Sequence, residues 1–155
     1  MSVPRVLGLG AISGLRSISG PAFVSRAASR GSLNLGGTRL AFLGSPRLSK
    51  ALVVMALGEL VGDQLPATPS RTTLPPLLGR AASGGLVGAA LFVSEGRRAA
   101  MGAALGSSSA VVASFASERL RALVGEKSGL PDPIVALGED AVVFLIGSRS
   151  LRKVR

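Results

Sequence analysis

Apolar residues occupy this chain in long blocks, separated by short stretches of Gly, Pro, Ser and charged residues. Five such blocks are visible, and their lengths approach the ~20 residues that a helix needs to cross a bilayer. The pattern therefore predicts an all-α chain. The predicted segments are about 4–25, 46–64, 77–94, 99–123 and 133–148, followed by a basic tail at 149–155.

Helix signals sharpen three of the boundaries. Gly20 and Pro21 predict a kink or break inside the first segment. Ser45 followed by Pro46 is typical of a helix start. The connection at 95–98 has only four residues, so segments three and four are predicted to form a tight antiparallel hairpin. Between the first two segments lies a basic connection, 26–47, in which residues 40–43 are predicted to lie at the interface or to form a short re-entrant piece.

The composition favours a membrane protein over a Gly-rich soluble bundle, which is the alternative. The 155 residues suffice for one domain, 47% of them are hydrophobic, the mean hydropathy is +0.49, and Trp and Tyr are absent. Small residues allow close helix packing in lipid, and pairs that start at Gly10, Gly58, Gly84 and Gly102 are spaced as packing faces. We therefore predict a single membrane domain, 1–155, built as a polytopic helical bundle of about five spans.

The net charge of +10 bears on orientation and partners. Lys and Arg do not cluster with aromatic residues, so nucleic acid is not an expected partner. They flank the apolar segments, where they set orientation and meet anionic lipid. With five crossings, the distribution predicts a cytoplasmic C-terminus and an external N-terminus in a bacterial inner membrane. The chain has no Cys or His and no nucleotide motif, so we expect neither a cofactor nor a metal site.

An internal repeat is suggested by the tetrapeptide Ala-Leu-Gly-Glu, which occurs at 56–59 and again at 136–139. The segments that precede the two copies also correspond loosely, with Gly10 and Gly14 matching Gly102 and Gly106. If segments one and two recur as four and five, the single span between them makes a 2+1+2 inverted repeat. Many secondary transporters have that arrangement.

Ionisable residues within apolar segments are the candidate site. A charge inside a span is costly unless it faces the bundle interior, so it indicates a functional site or a structural ion pair. The candidates for solute or ion binding are Glu59, Asp63, Glu139 and Asp140, with Arg16 as their counter-ion. A second candidate set, suited to an anionic lipid head group, is Ser70, Arg71, Thr72 and Arg80. The alternatives are structural. The acids would hold the helices in register, and the loop would be a rigid connector.

The stretch 56–80, reading ALGELVGDQLPATPSRTTLPPLLGR, resembles the uncharacterised membrane-protein family catalogued as domain of unknown function 4126. The resemblance extends to GLRS at 14–17, AFLGS at 41–45, and LPD and GED near the end, and so covers almost the entire chain. Where the family pattern has Lys after the Asp, this chain has Gln64. The resemblance implies a small multi-span membrane protein of unknown activity. It supplies no substrate, cofactor or catalytic residue.

Our hypothesis from sequence is passage or exchange of a small solute or ion through the bilayer, with a homodimer as the expected assembly. Glu59 and Glu139 would be the coupling groups. One alternative is a membrane enzyme or binding protein that acts on lipid head groups, so enzymatic activity is left open although we favour its absence. The other alternative is a structural protein whose helices pack against a partner.

Overall fold

In the computed structural model, which describes residues 2–62, 73–128 and the positions Gly138, Ala141, Val143, Leu145 and Gly147, all regular secondary structure is helical. This confirms the all-α prediction for the described residues. A short 3-10 helix at Ala41–Gly44 occupies part of the predicted interfacial piece. The α-helices are α1 (Ser2–Leu15), α2 (Ser19–Ser29), α3 (Pro46–Gly62), α4 (Leu74–Ser94) and α5 (Ala99–Ser128).

Helices α4 and α5 form the antiparallel hairpin that the sequence predicts. The turn between them contains Gly96 with φ +69°, a left-handed conformation that glycine adopts without strain. Glycines make the contact: a Cβ added to Gly88 would overlap the Gly102 carbonyl oxygen, and one added to Gly106 would overlap the Gly84 carbonyl oxygen. The packing-face prediction is confirmed for these glycines.

Helix α1 packs against this hairpin and runs parallel to α5. Gly10 faces Gly106, and Gly14, four residues further on, faces Ala110. Near the start of the contact, the Ser109 hydroxyl donates to the Leu7 carbonyl oxygen at 2.7 Å. The equal steps along both helices establish their parallel direction.

The first predicted segment is not one span, because the chain reverses between α1 and α2. In a continuous helix, Gly20 would lie about 16 Å along the axis from residue 9. A Cβ on Gly20 would instead lie 3.2 Å from the Leu9 carbonyl oxygen and would overlap the Ser13 hydroxyl. The first turn of α2 therefore packs beside α1, and the two helices form a helical hairpin.

The break lies at residues 16–18, so the predicted break at Gly20 and Pro21 is wrong. Pro21 is the third residue of α2. The first four amides of a helix have no partner within the helix, so a proline there removes no helical hydrogen bond. The same tolerance explains why α4 begins at Leu74, three residues before the predicted start, with prolines in its first turn.

Helix α3 starts at Pro46, as predicted, and packs against α2 and the 3-10 helix. Only Ser49 of α3 is buried within the described part of the chain. A Cβ added to Gly58 or Gly62 would meet nothing within 4 Å. The prediction that this pair forms a packing face is therefore not met among the described residues.

Two predictions about direction need correction. The reversal at 16–18 places the start of α1 at the same end of the bundle as the turn 95–98, whereas the sequence predicted opposite ends. It also leaves α1 and α5 parallel, whereas the 2+1+2 inverted repeat matches these helices in opposite orientations. Of the second Ala-Leu-Gly-Glu copy the structure describes Gly138 alone, and the basic tail lies outside the described residues.

Two described helices are long and apolar enough to cross a membrane, namely α4 and the α5 residues Ala99–Val124. Helix α1 is apolar but shorter, since its 14 residues extend about 21 Å. These helices are consistent with a membrane protein. The buried core contains Val6 and Leu9 of α1, Val24 of α2, and Val87 and Phe92 of α4.

Candidate functional site

The reversal between α1 and α2, residues Arg16, Ser17 and Ile18, is called the hairpin tip here. Three other helices place polar side chains beside it, as its hydrogen bonds show. These side chains are Glu59 from α3, Arg80 and Ser83 from α4, and Ser114 from α5. The tip is thus the place where polar side chains from α3, α4 and α5 meet the end of α1 and the connection to α2.

The Glu59 carboxylate closes the start of α2. Its Oε1 accepts from the Ser17 amide at 2.7 Å and from the Ser17 hydroxyl at 2.6 Å, and its Oε2 accepts from the Ile18 amide at 3.0 Å. Amides ahead of a helix lack helical partners, and the positive end of the helix dipole favours an anion. A side chain 41 residues away in sequence therefore accepts from the N-cap amide of α2, as the glutamate of a capping box does.

Two arginines are buried at the tip. Arg16 is 1% exposed and its Nη1 donates to the Glu59 backbone carbonyl at 3.3 Å. Arg80 is 6% exposed and its Nη1 donates to the Gly14 carbonyl at 3.4 Å. Cations are favourable near the last carbonyls of a helix, and Gly14 is in the last turn of α1. The break thus has a carboxylate at the start of one helix and guanidinium groups at the end of the other.

Further hydroxyls complete the hydrogen bonding of the tip. The Ser114 hydroxyl donates to the Gly14 carbonyl at 3.0 Å, and the Ser83 hydroxyl donates to the Ser17 carbonyl. The Arg16 amide still donates to Ile12 within α1, at 2.7 Å. Non-helical backbone is tolerated at membrane depth only where protein groups satisfy it, and protein groups bond the three tip amides and the Ser17 carbonyl.

The depth of the tip follows from its α4 partners. Arg80 and Ser83 are the seventh and tenth of the 21 residues of α4. At 1.5 Å per residue, they lie about 9 to 14 Å from the helix start and about 17 to 21 Å from its end. The tip therefore lies near the middle of the helix that could span a membrane.

A groove of about 360 Å³ opens beside the tip, between α2, α3 and α4. Ser17 and Ile18 form part of its wall, together with Leu52 of α3 and Ser83 and Leu86 of α4. Apart from the two serines, its lining is apolar. The groove exists because α3 packs on α2 and leaves a space towards α4 in the described structure.

The structure brings together part of each predicted set. Glu59 and Arg16 are in contact, since the Arg16 guanidinium donates to the backbone carbonyl of Glu59. Arg80, from the head-group set, is buried at the same tip. The other predicted residues lie outside the described residues; these are Asp63, Ser70, Arg71, Thr72, Glu139 and Asp140.

Sequence reasoning missed Ser17, Ser83 and Ser114. A serine in an apolar helix is a weak signal, because it often bonds to its own helix, as Ser114 also does through Ala110. The adjacency of Ser17 to Arg16 was the stronger signal, since a buried arginine needs polar neighbours. Within the described residues, no group of three or more acidic side chains is placed to hold a metal ion.

The family model described as domain of unknown function (DUF4126) matches residues 4–151. The chain belongs to this family. No curated protein and no solved structure matches the chain. The family carries no assigned activity, so the chemistry of the site must be argued from the hairpin tip itself.

Proposed function

We propose that this chain is an integral membrane protein that passes or exchanges a small solute, with α4 and α5 as spans and the α1–α2 hairpin entering the bilayer from one side. One observation carries the proposal. The Glu59 carboxylate accepts from the backbone amides at the break between α1 and α2, and this break lies beside the middle of α4. Broken helices at mid-depth are where many secondary transporters bind their solutes.

The physical basis is that a helix break exposes directed amides and carbonyls that an intact helix keeps for itself. At the tip these groups face the protein interior and are met by Glu59, Arg80 and Ser114. A break of this kind is costly to bury and is not needed for a simple helical bundle. Its presence beside a groove supports a role in solute passage.

The groove favours a small, weakly polar solute over a hydrated ion. Its lining is apolar except for the hydroxyls of Ser17 and Ser83. Moving a bare charge from water into such surroundings costs several kcal/mol. A solute with an apolar body and one hydrogen-bonding group would match the groove wall and the serines. Glu59, which is bonded to Ser17, is the coupling group that responds when the hydrogen-bonding group of the solute binds.

The test is osmotic swelling of proteoliposomes followed by stopped-flow light scattering, with glycerol and urea as neutral probes. We expect the protein to accelerate swelling over protein-free liposomes, and Glu59→Gln to remove most of the acceleration. Gln keeps the size of the side chain but replaces one acceptor oxygen with a donor. Glu95→Gln, on an exposed acid in the α4–α5 turn, is the matched control and should swell like the parent. Equal rates for both variants would overturn the proposal.

A structural role is the second candidate, and a specific observation favours it. The tip contacts described above satisfy backbone groups without any solute, as expected of a scaffold whose buried polar groups rigidify one fold. This reading predicts that Glu59→Gln lowers stability without changing solute flux. Swelling rates and unfolding measured on the same variants therefore separate the two functions.

The remaining functional expectations stay predictions. They comprise a homodimer, a bacterial inner-membrane location, a cytoplasmic C-terminus and a coupling role for Glu139. Binding of a lipid head group by residues 70–72 also stays a prediction. Arg80 is less suited to that role, because it is buried and bonded to the Gly14 carbonyl.

A further inference from the structure

We infer that the end of the bundle opposite the hairpin tip binds the anionic head groups of membrane phospholipids. This surface, the basic end, comprises the C-terminal half of α2, the connection to α3, the first turns of α3 and the turn 95–98. Its exposed cations are Arg26, Arg30, Arg39, Arg47 and Lys50, together with Arg97 and Arg98 of the turn 95–98. The inference needs the membrane placement of the chain and is independent of the solute proposed above.

The fold, rather than the sequence order, brings these cations to one end. Helix α2 runs from the tip beside α1, and its Ser25 hydroxyl donates to the Leu43 carbonyl next to the start of α3 at 2.6 Å. Helix α3 then returns towards the tip, where it places Glu59. The turn 95–98 lies at the other end of α4 from Arg80. The far ends of these elements all lie away from the tip, and Leu35 and Leu43 belong to the same buried cluster as Phe92 near the end of α4.

The charge of the basic end is almost entirely positive. Glu95 is the one acid among its described residues, and Arg5 in the first turns of α1 adds a further cation. The opposite end of α5 is nearly balanced, since two acids accompany three cations within residues 118–127. A clustered positive surface next to a bilayer attracts anionic lipid, with about 1 kcal/mol per cation, or about fivefold in affinity.

The position of the surface identifies lipid as its partner. The turn 95–98 joins the two helices that could cross a membrane, so this end must lie at one membrane surface. Phe42 is 53% exposed in the 3-10 helix, between Arg39 and Arg47 in sequence. An apolar ring among cations suits the boundary between head groups and acyl chains.

A concavity of about 340 Å³ in the same region offers a place for a head group. It lies between the end of α2 and the 3-10 helix, and its wall includes Gly31, Asn34 and Gly36. Unlike the groove at the tip, its lining is both polar and apolar. Arg30 precedes Gly31 in sequence and is exposed, so a cation lies next to this wall.

The test measures lipid selectivity with the full chain reconstituted in phosphatidylcholine bilayers. Spin-labelled phosphatidylglycerol and spin-labelled phosphatidylcholine are compared by electron paramagnetic resonance, which reports the fraction of each lipid held at the protein. We expect a preference of about fivefold for phosphatidylglycerol. The variant Arg39→Gln/Arg47→Gln, which removes the two cations that flank Phe42 in sequence, should lower this preference, and 1 M salt should weaken it, because the screening length falls to about 3 Å.

The matched control is Arg119→Gln/Arg121→Gln, which removes the same charge from the opposite end of α5. It should keep the preference, and circular dichroism should show unchanged helix content in both variants. Equal binding of the two lipids by the parent, or equal loss in both variants, would overturn the inference. A nucleic-acid oligomer retained through the same two arginines, without selectivity among lipids, would also overturn it.

Discussion

The glycine contact between α4 and α5 provides a quantitative test of the fold through Gly88→Ala. A Cβ at Gly88 would overlap the Gly102 carbonyl oxygen, and it would lie 2.7 Å from the Gly102 carbonyl carbon and 3.2 Å from the Gly106 Cα. These neighbours are backbone atoms and cannot rotate away. Since ordinary contact begins near 3.4 Å, the helices must separate by about 1 to 1.5 Å.

The cost of that separation can be estimated. A gap of up to 1 Å forfeits roughly a quarter to a half of the local dispersion energy, and overpacking costs about 1–3 kcal/mol. Alanine recovers up to ~1 kcal/mol of helix propensity. We therefore expect Gly88→Ala to lower the free energy of unfolding by about 1–2 kcal/mol. Gly58→Ala, which meets nothing within 4 Å, should retain only the propensity gain.

The assay uses a buried thiol, because the chain has no Cys, Trp or Tyr. Ser114 is fully buried, and Ser114→Cys gives a near-isosteric probe whose labelling rate reports opening of the bundle in mixed micelles. Relative to this parent, we expect Gly88→Ala to label about 5 to 30 times faster and Gly58→Ala no faster. If the two glycine variants label alike, the close approach of α4 and α5 is refuted.

Two other predictions concern the hairpin tip and the orientation of the chain. Glu59→Ala leaves two tip amides without their carboxylate acceptor, so we expect at least ~2 kcal/mol of destabilisation by the same thiol assay; parent-like stability would contradict the tip geometry. Single cysteines at Asn34 and Gly96 lie at the basic end and should both be protected from an impermeant reagent until cells are opened. A cysteine at Ala122 should label in intact cells. If only one of the cysteines at Asn34 and Gly96 labels in intact cells, these two positions do not lie at the same end.

Local rules predicted the parts of the fold that depend on neighbouring residues. The short connection at 95–98 left no route except an antiparallel hairpin, and the spacing of Gly84, Gly88 and Gly102 indicated its contact face. The start of α3 followed from Ser45 and Pro46. Each signal operates over a few residues, which is why periodicity and turn chemistry were enough.

The hairpin tip could be predicted only in part, because its contacts join distant residues. Glu59 was a candidate because a carboxylate in an apolar helix is costly. Its partners Ser17 and Ile18 are more than 40 residues away, and neither carries a recognisable motif. Arg16 lies beside Glu59 and donates to its backbone carbonyl, while the carboxylate accepts from tip amides and a hydroxyl. The role of Arg16 as counter-ion stays a prediction.

One misplaced reversal accounts for the errors in topology. Proline breaks a helix in its interior but is tolerated in its first turn. Pro21 therefore indicated a nearby break, although the break lies at 16–18 and Pro21 is in the first turn of α2. Treating 4–25 as one crossing omitted a change of direction, and every later helix was then assigned the opposite direction relative to α1. The structure restores the missing reversal at 16–18, which makes α1 and α5 parallel and moves Arg5 to the end that carries Arg97 and Arg98. The same correction that weakens the inverted repeat thus concentrates positive charge at one end of the bundle and leaves the hairpin tip, with the half-buried Glu59, beside the middle of α4.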